Sequence, residues 1–365
     1  MRIAFGGDCS IIGDALTLKR GNYIQISAYY EADKRIVNLE QCISDRQAVA
    51  GKTTIYAPSS AKDRICSLQA SCVSLANNHL HDCGEAGIRD TLEYLHVWGI
   101  PYVGAGRNAA EAAKGVSIAP GVVLLAYCQF GTHYLRNVCC AKENTPGVNG
   151  YSLERVLEDL DRLDGKTQAV VALHWAAEYV PLPPSEIIIW ARKILAHPNC
   201  CLLIGHHPHI FLGKITSHGK EGYISMGNLM FPNFYLNTRQ ELCVPEPGEA
   251  YARVDMQMKV PCLTKKCWQK RNRQGLLLIY DTEQKVVSDV LFTQQDPELP
   301  VTRMLRGKEE VKARKRFERL SRIYTWPVTL YRVACRLCMF FTYAIRKIKR
   351  VYFYHFAARH KEIYR

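Results

Sequence analysis

Residues 169–209 read AVVALHWAAEYVPLPPSEIIIWARKILAHPNCCLLIGHHPH, and their pattern of apolar residues predicts the fold class. It opens with an apolar run, Ala169 to Leu173, of the length typical of a buried strand. A helix is predicted from Ser185 to His197, and a second apolar run covers Cys201 to Ile204. A strand, a helix and a strand in this order predict a βαβ unit with two parallel strands.

The same alternation extends over residues 1–220 and predicts an α/β fold. Helices are predicted at 85–96 and 153–163, where apolar residues recur at helical spacing. The other strands predicted in this part lie at 2–5, 35–37, 72–76 and 122–130. Beyond residue 220 we expect strands without helices between them, at 222–226, 250–260, 274–280 and 286–292, with a hairpin loop at 261–273.

Polar side chains follow five of the predicted strands. They are Asp8, Glu40, Asn78 with His79, His174 with Glu178, and the group His206, His207 and His209. Because the carboxyl ends of strands in open α/β sheets converge on one crevice, we expect these groups to lie close together. Carboxylate, amide oxygen and imidazole together suit borderline divalent metals such as Zn, Mn or Fe.

The tripeptide His207-Pro208-His209 carries a local prediction of its own. Alternate side chains of an extended segment point the same way, so His207 and His209 could hold one metal ion. His206 would then face the opposite way. The alternative interpretation is a polar loop beside a helix end.

Seven short motifs follow one another along the first two thirds of the chain. The most specific is Ser74-Leu75-Ala76-Asn77-Asn78-His79-Leu80-His81-Asp82-Cys83-Gly84. The others are Gly7-Asp8, Asn38-Leu39-Glu40, Gly99 to Gly106, His174 to Glu178, Gly205 to His209, and Ser225 to Phe231. In their sequence and order these motifs resemble the bacterial capsule synthesis family, CapA or PGA_cap, over roughly residues 1–235.

The resemblance implies a metallophosphatase-like fold, an α/β/β/α sandwich of four layers, and a role in making or anchoring poly-γ-glutamate or capsule. By likeness to calcineurin-type phosphoesterases, the implied metal ligands are Asp8, Asn78, His174, His207 and His209. His79 would protonate a leaving oxygen, and Glu40 and His206 are further candidate catalytic groups. Glu178 and Asn228 are candidates for side chains that orient the ligands, although Glu178 could equally be a solvated loop charge.

Two departures from the phosphoesterase pattern keep other sites open. The usual Asp-x-His is here Asp8-Cys9-Ser10, and Glu40 stands near the place of the bridging Asp. One of two metal positions therefore loses a strong ligand. A single-metal site, or a metal-free site with Glu40, His79 and His209 as acid and base, is the alternative.

The charge of the chain is concentrated in its last 65 residues. The formal net charge is +14, and residues 301–365 hold 18 Lys and Arg against 4 Asp and Glu, so residues 1–300 are net neutral. With the resemblance, this division predicts a CapA-like metallophosphatase-fold domain at residues 1–300 and a basic, aromatic-rich helical tail at residues 301–365. Residues 308–322 read as a solvated helix.

Clustered Lys and Arg residues are interleaved with aromatic residues between residues 329 and 356. This pattern predicts that the tail contacts an anionic membrane surface. Single-stranded nucleic acid is the rival partner, and packing on the domain or on a partner protein is the third. No specific nucleic acid is expected. The longest uncharged stretch, Leu337 to Ile345, is short, so we expect no transmembrane helix.

Fifteen cysteines and the absence of a recognisable secretory signal predict free thiols and a cytoplasmic chain, peripheral on the inner membrane face. Cys335 and Cys338 lack a second pair at zinc spacing and are read as thiols on one helix face.

Two functions follow as hypotheses. The first is a metal-dependent hydrolase or transferase acting on a surface polymer or its precursor, through a phosphoester, amide or γ-glutamyl bond. The second is a non-catalytic accessory protein of a membrane polymer-synthesis complex. The substrate, the metal and the oligomeric state are not predicted by the sequence.

Overall fold

The computed structural model describes residues 1–17, 23–49, 54–132, 135, 137–236, 264–294, 301–352 and 362–364. Most strands belong to two sheets. The first sheet runs Ile24–Gln25, Thr302–Met304, Val286–Gln294, Gln274–Asp281, Arg2–Cys9, Lys34–Leu39, Cys72–Ser74 and Tyr102–Val103, and Asn228–Met230 also pairs with Arg2–Cys9. The second sheet runs Lys214–Ser217, Lys220–Tyr223, Cys200–His206, Gln168–His174, Val122–Cys128 and Val116–Ala119.

Shorter strands and nine α-helices complete the described secondary structure. The strands outside the two sheets are Cys42–Ile43 with Tyr56–Ala57, Ala105–Gly106 with Gly147–Val148, and the group Phe234–Leu236, Thr264–Cys267 and Glu362–Tyr364. The helices are Asp14–Thr17, Ser27–Tyr30, Lys62–Cys66, Gly84–Val97, Ala109–Ala112, Leu153–Asp161, Ser185–Ala196, Gly307–Ile323 and Val328–Tyr352, with a 3₁₀ turn at Ser59–Ala61.

The predicted βαβ unit and the α/β class are confirmed. Strands Gln168–His174 and Cys200–His206 pair in parallel, and the helix Ser185–Ala196 connects them. The strands predicted at 274–280 and 286–292 form an antiparallel pair in the first sheet. The strand predicted at 250–260 lies outside the described residues.

The second sheet separates two apolar clusters, because alternate residues of a strand point to opposite faces. Val170 and Leu202 belong to the larger cluster, which also contains Phe5 and Leu278 of the first sheet. Val171 and Leu203 belong to the smaller cluster. That smaller cluster also holds side chains of the helices Leu153–Asp161, Ser185–Ala196 and Val328–Tyr352.

The helix Gly307–Ile323 is not the solvated helix that its charge suggests. Ala313, Phe317 and Leu320 recur at helical spacing and are buried against the rest of the chain. The Phe317 ring stacks on Tyr223 with a centroid distance of 6.2 Å, and the Arg316 guanidinium carbon lies 3.8 Å from the centroid of the Phe211 ring. Three apolar residues on one face are enough to attach a helix whose other positions are charged.

The end of the first sheet and the tail are continuous. Strand Thr302–Met304 lies beyond the domain boundary predicted at residue 300, and it pairs with both Val286–Gln294 and Ile24–Gln25. All cysteines that the structure describes are free thiols.

One helix among the described residues is long and apolar enough to cross a membrane by length and composition alone, whereas none is expected from the sequence. The segment Val328–Ile348 has 21 residues and a mean hydropathy of 1.3, and its apolar window is 11% buried. The expectation counted uncharged runs, whereas Arg332 and Arg336 do not lower the mean hydropathy of an 18-residue window enough to exclude it.

A close backbone contact beside Asp8 generates a prediction on stability. A methyl group at Gly7 would stand 1.9 Å from the carbonyl oxygen of Gly227. We expect Gly7→Ala to lower the free energy of unfolding by about 1–3 kcal/mol or more, because the two strands must separate to admit it. Urea unfolding followed by circular dichroism measures this.

The matched control is Gly165→Ala, where an added methyl group meets nothing within 4 Å. Its effect should stay within about 0.5 kcal/mol of zero. Equal stability of both variants would contradict the contact.

Candidate functional site

Asp8 joins the two sheets. It lies near the end of strand Arg2–Cys9, is fully buried, and its Oδ1 accepts a 2.8 Å hydrogen bond from the Asn38 side chain of the neighbouring strand. Its Oδ2 accepts a 3.1 Å hydrogen bond from the backbone N–H of His207, which follows a strand of the second sheet. Burial raises the pKa of Asp8, but His206, His209 and the hydrogen bond from Asn38 together outweigh it, so the pKa lies below its usual value.

The backbone turns sharply at the histidines that follow the second sheet. His207 has φ of 91° and His209 has φ of 52°, and Ala176 and Tyr179 are also left-handed. The segment is therefore not extended, and the predicted alternation of side chains fails. The prediction that His206 faces away is wrong, since its Nδ1 lies 3.3 Å from Asp8 Oδ1.

Left-handed conformations of non-glycine residues cost of order 1–3 kcal/mol each and cluster at functional sites. Here four of them lie in the two loops that carry His207, His209 and Glu178.

His174 and His207 present neutral imidazoles to the centre of the site. Their rings lie 4.7 Å apart, and both are buried. Burial lowers the pKa of His207 to about 4 and holds the pKa of His174 well below its usual value. Neither ring nitrogen of His207 has a hydrogen-bond partner within the described chain. Each ring therefore keeps a lone pair at neutral pH, as metal binding requires.

Glu40 is the carboxylate that the histidines surround. It follows strand Lys34–Leu39 of the first sheet and is fully buried. Its Oε1 lies 3.4 Å from Nε2 of His209, 3.9 Å from Nε2 of His174 and 4.0 Å from Nε2 of His79. The longer side chain of Glu thus reaches the middle of the cluster.

Three sets of side chains bring possible ligand atoms within 4.8 Å of one another. The first set is Asp8, Glu40 and His209, the second is Glu40, His174 and His207, and the third is Glu178, His207 and His209. Asn78 Oδ1 lies 2.9 Å from Nε2 of His174, beside the second set. The predicted ligands are therefore together, and the chain could hold a metal ion at this place.

His79 lies at the edge of these sets, and a hydrogen bond to Asp82 orients its ring. Its Nδ1 is 2.7 Å from Oδ2 of Asp82, a buried residue that also accepts a hydrogen bond from the backbone of Ile55. A proton on Nδ1 directed at this carboxylate leaves Nε2 facing Glu40. Asp82 was not among the predicted site residues. Its spacing of three residues from His79 within one turn was the available signal.

His209 is held by a closed ring of hydrogen bonds. Its Nδ1 lies 2.8 Å from Asn228 Oδ1, Asn228 donates to the Asn272 carbonyl at 3.1 Å, and the Asn272 side chain donates back to the His209 carbonyl at 3.2 Å. The Trp268 ring lies 5.4 Å from the His209 ring. Sequence reasoning missed Asn272 and Trp268 because they belong to a stretch without a recognisable motif.

Glu178 lies beside His207 and His209, and the C-terminal helix reaches it. Its Oε2 is 3.8 Å from the guanidinium of Arg346, whose central carbon lies 4.5 Å from the centroid of the Tyr179 ring. A basic residue of the tail therefore borders the site.

The ten candidate residues form one connected cluster, although their strands belong to two sheets rather than one. Asp8, Glu40, Asn78 and His79 follow or end strands of the first sheet, and Asn228 pairs beside Asp8. His174, Glu178, His206, His207 and His209 end or follow strands of the second sheet.

Comparisons with known proteins agree with the motifs. The family model of the bacterial capsule synthesis protein PGA_cap matches residues 22–233. The capsule biosynthesis protein CapA of Bacillus anthracis is 27% identical over 181 residues, which are 47% of this chain and 43% of the relative. The PGA biosynthesis protein CapA of Bacillus subtilis (strain 168) is 30% identical over 171 residues, 46% of this chain and 44% of the relative.

The matched stretch spans less than half the length of either CapA protein. One solved structure is similar over 79% of this chain and 97% of its own length, with a TM-score of 0.40 and 9% sequence identity. The family model covers more than half of the sequence and includes nine of the ten clustered residues from Glu40 to Asn228. The chain belongs to the bacterial capsule synthesis protein family, PGA_cap.

Proposed function

We propose that the chain acts in the biosynthesis of capsule or poly-γ-glutamate as a metal-assisted hydrolase or transferase on the polymer or its precursor. The single observation that supports a metal-assisted reaction is the state of the His207 side chain. This imidazole is buried, its ring nitrogens have no hydrogen-bond partner in the described chain, and burial lowers its pKa to about 4. A neutral imidazole with both nitrogens unused, next to buried carboxylates, suits the coordination of a cation better than a structural role.

The residues fit a divalent ion such as Mn, Zn or Fe. Asp8, Asn78, His174, His207 and His209 would hold it, with Glu40 between the histidines. A bound divalent ion acts as a Lewis acid and lowers the pKa of water.

The other residues have tasks that follow from their hydrogen bonds. His79 protonated on both ring nitrogens would donate its Nε2 proton to the leaving oxygen or nitrogen and become a neutral imidazole. Asp82, which accepts the hydrogen bond from Nδ1, would stabilise the imidazolium before that transfer. Asn228 fixes the ring of His209, and Asn38 holds Asp8 through a 2.8 Å hydrogen bond. Glu178 and Arg346 would meet the substrate at the rim.

We also propose that the two sheets are the inner layers of a metallophosphatase-like α/β/β/α sandwich. In support, the larger apolar cluster contains side chains of both sheets, and helices cover the other face of the second sheet.

A second candidate is a non-catalytic accessory protein that binds the polymer. Ser10 supports it, since the usual Asp-x-His places a histidine here and the Ser10 hydroxyl instead donates to Gln41 at 3.1 Å. Ser10 therefore does not supply the metal ligand that a histidine would supply at this position.

A first experiment separates the two candidates. The purified full chain, loaded with Mn²⁺, Zn²⁺ or Fe²⁺, is screened with phosphodiester and γ-glutamyl chromogenic compounds, and its binding to poly-γ-glutamate is measured by calorimetry. Turnover supports the enzyme, and polymer binding without turnover supports the accessory protein. Neither turnover nor binding would contradict both.

Substitution of His79 tests the proton donor. We expect His79→Ala to reduce kcat/KM on the compound that is turned over by about 10²–10⁴-fold. The metal content of this variant, measured by inductively coupled plasma mass spectrometry, should stay unchanged because His79 lies outside the ligand sets.

His218→Ala is the matched control, since this histidine bonds only to the neighbouring Ser217 among the contacts described and lies outside the cluster. His207→Ala should lose the metal. Loss of metal in His79→Ala, or unchanged turnover, would remove His79 from the role of acid.

Substitution of Asn228 tests the support of His209. Because residues that orient a metal-binding histidine are worth roughly 10–100-fold in metal affinity, we expect a loss of that size in Asn228→Ala by calorimetric titration. Asn228→Asp keeps an oxygen facing Nδ1 and should recover most of the affinity.

The control is Asn199→Ala, which removes a 3.0 Å hydrogen bond to the Leu160 carbonyl at the opposite end of the second sheet's strands. Its metal affinity should match that of the unmodified chain. Equal affinities of Asn228→Ala and the control would show that Asn228 does not position the ligand.

A further inference from the structure

One face of the C-terminal helix, Val328–Tyr352, packs along the domain. The Tyr331 hydroxyl donates to the Pro183 carbonyl at 2.7 Å, Cys335 is buried, and Arg346 pairs with Glu178 at 3.8 Å. Residues 331, 335 and 346 fall on one side of an α-helix. The helix is therefore attached both near its start and near its end, and it lies along the surface.

The opposite face of this helix is apolar and exposed. Its side chains are between 51% and 68% exposed, and they recur at helical spacing over five turns. We name this set the apolar stripe: Leu330, Val333, Leu337, Phe340, Phe341 and Ile348. Exposed apolar residues elsewhere in the described chain, such as Val97 and Val286, are scattered singly. A contiguous apolar patch of this kind marks an interaction surface.

Positive charge borders the apolar stripe. Arg336 and Lys347 are exposed and lie on the side of the helix between the stripe and the domain. Arg332 is exposed on the same side, and its Nε donates a 3.3 Å hydrogen bond to Ser185 of the domain. The helix contains no Asp or Glu, and residues 301–365 carry the whole net charge of +14. A surface that matches this face must therefore be apolar in its interior and anionic where it meets the flanking cations.

We propose that the apolar stripe docks, with the helix in the plane of the interface, on an anionic lipid bilayer. Acyl chains accept the aromatic and aliphatic side chains, and lipid phosphates pair with the flanking Arg and Lys. Although the segment is long enough to cross a membrane, crossing would break the contacts of Tyr331 and Arg346 with the domain, whereas docking in the plane keeps them.

Docking in this orientation places the candidate metal site close to the lipid surface. Arg346 touches Glu178 and Tyr179, and Glu178 lies within 4.8 Å of His207 and His209 at their ligand atoms. The rim of the site is thus next to the helix that the bilayer holds. This part of the inference does not depend on whether the site is catalytic.

Co-sedimentation of the full chain with lipid vesicles tests the proposal. Binding is expected with vesicles of phosphatidylcholine and phosphatidylglycerol, and much less with phosphatidylcholine alone. Raising the salt from about 0.1 M to 1 M shortens the Debye length from about 10 Å to 3 Å, so binding should weaken. Arg336→Gln combined with Lys347→Gln should lower the partition coefficient roughly 30-fold.

Phe340→Ser combined with Phe341→Ser should lower the binding that remains at high salt roughly tenfold or more. Val97→Ser combined with Val286→Ser is the matched control, because it removes two exposed apolar side chains from the domain, and its binding should equal that of the unmodified chain. The charge substitutions are at exposed positions and keep the test valid if the Phe variant fails to fold.

Three outcomes would overturn the proposal. Unchanged binding of both helix variants would remove the helix from the interface. A dimer without vesicles that the Phe340 and Phe341 substitutions convert to a monomer would show that a second copy covers the stripe. Bound protein that resists extraction with alkaline carbonate would show a crossing helix instead of one in the plane.

Discussion

The hydrogen bonds that the Asp8 carboxylate accepts from both sheets hold the candidate site together. This carboxylate is fully buried, it accepts a hydrogen bond from Asn38 within its own sheet, and it accepts another from the backbone of His207 in the second sheet. An ionised carboxylate in such a place requires several donors, because desolvation alone would neutralise it. Satisfying it therefore fixes the distance between the sheets at the edge where all the candidate ligands lie.

The precision of the site is obtained with backbone conformations that are unfavourable locally. His207 and His209 are left-handed, and Gly7 lies so close to Gly227 that no side chain fits between them. Such features persist only where surrounding packing determines them. The apolar cluster between the sheets supplies that packing, so the stability of the core and the geometry of the histidines are linked.

Much of this arrangement could be predicted from the sequence, since apolar runs and helical spacing report burial directly. The strand–helix–strand unit from Gln168 to His206 and the polar residues at the strand ends follow from such patterns. The placement of His206 and His209 on the same side, both beside Asp8, could not be predicted, because it depends on positive φ values at His207 and His209 that non-glycine residues do not signal. The partners Asn38 and Asn272 depend on long-range pairing, which local patterns do not contain.

For the tail, residues 301–365, some properties could likewise be predicted from the sequence and others could not. Its charge was evident from the sequence, but the attachment of Phe317 beside Tyr223 and of Arg346 beside Glu178 required the folded chain. A charged helix with a few apolar residues on one face is compatible with solvation and with docking, and only the presence of a complementary surface decides between them.

The pairing of the first strand also has a consequence for the order in which the protein can mature on the ribosome. Arg2–Cys9 lies between Lys34–Leu39 and Gln274–Asp281, and Ile24–Gln25 pairs with Thr302–Met304. A nascent chain that has not yet emerged as far as residue 304 leaves strand edges of Arg2–Cys9 and Ile24–Gln25 unpaired. This sheet can close only after about 280 further residues have followed the strand Ile24–Gln25 out of the ribosome, which lengthens the interval in which chaperones are needed.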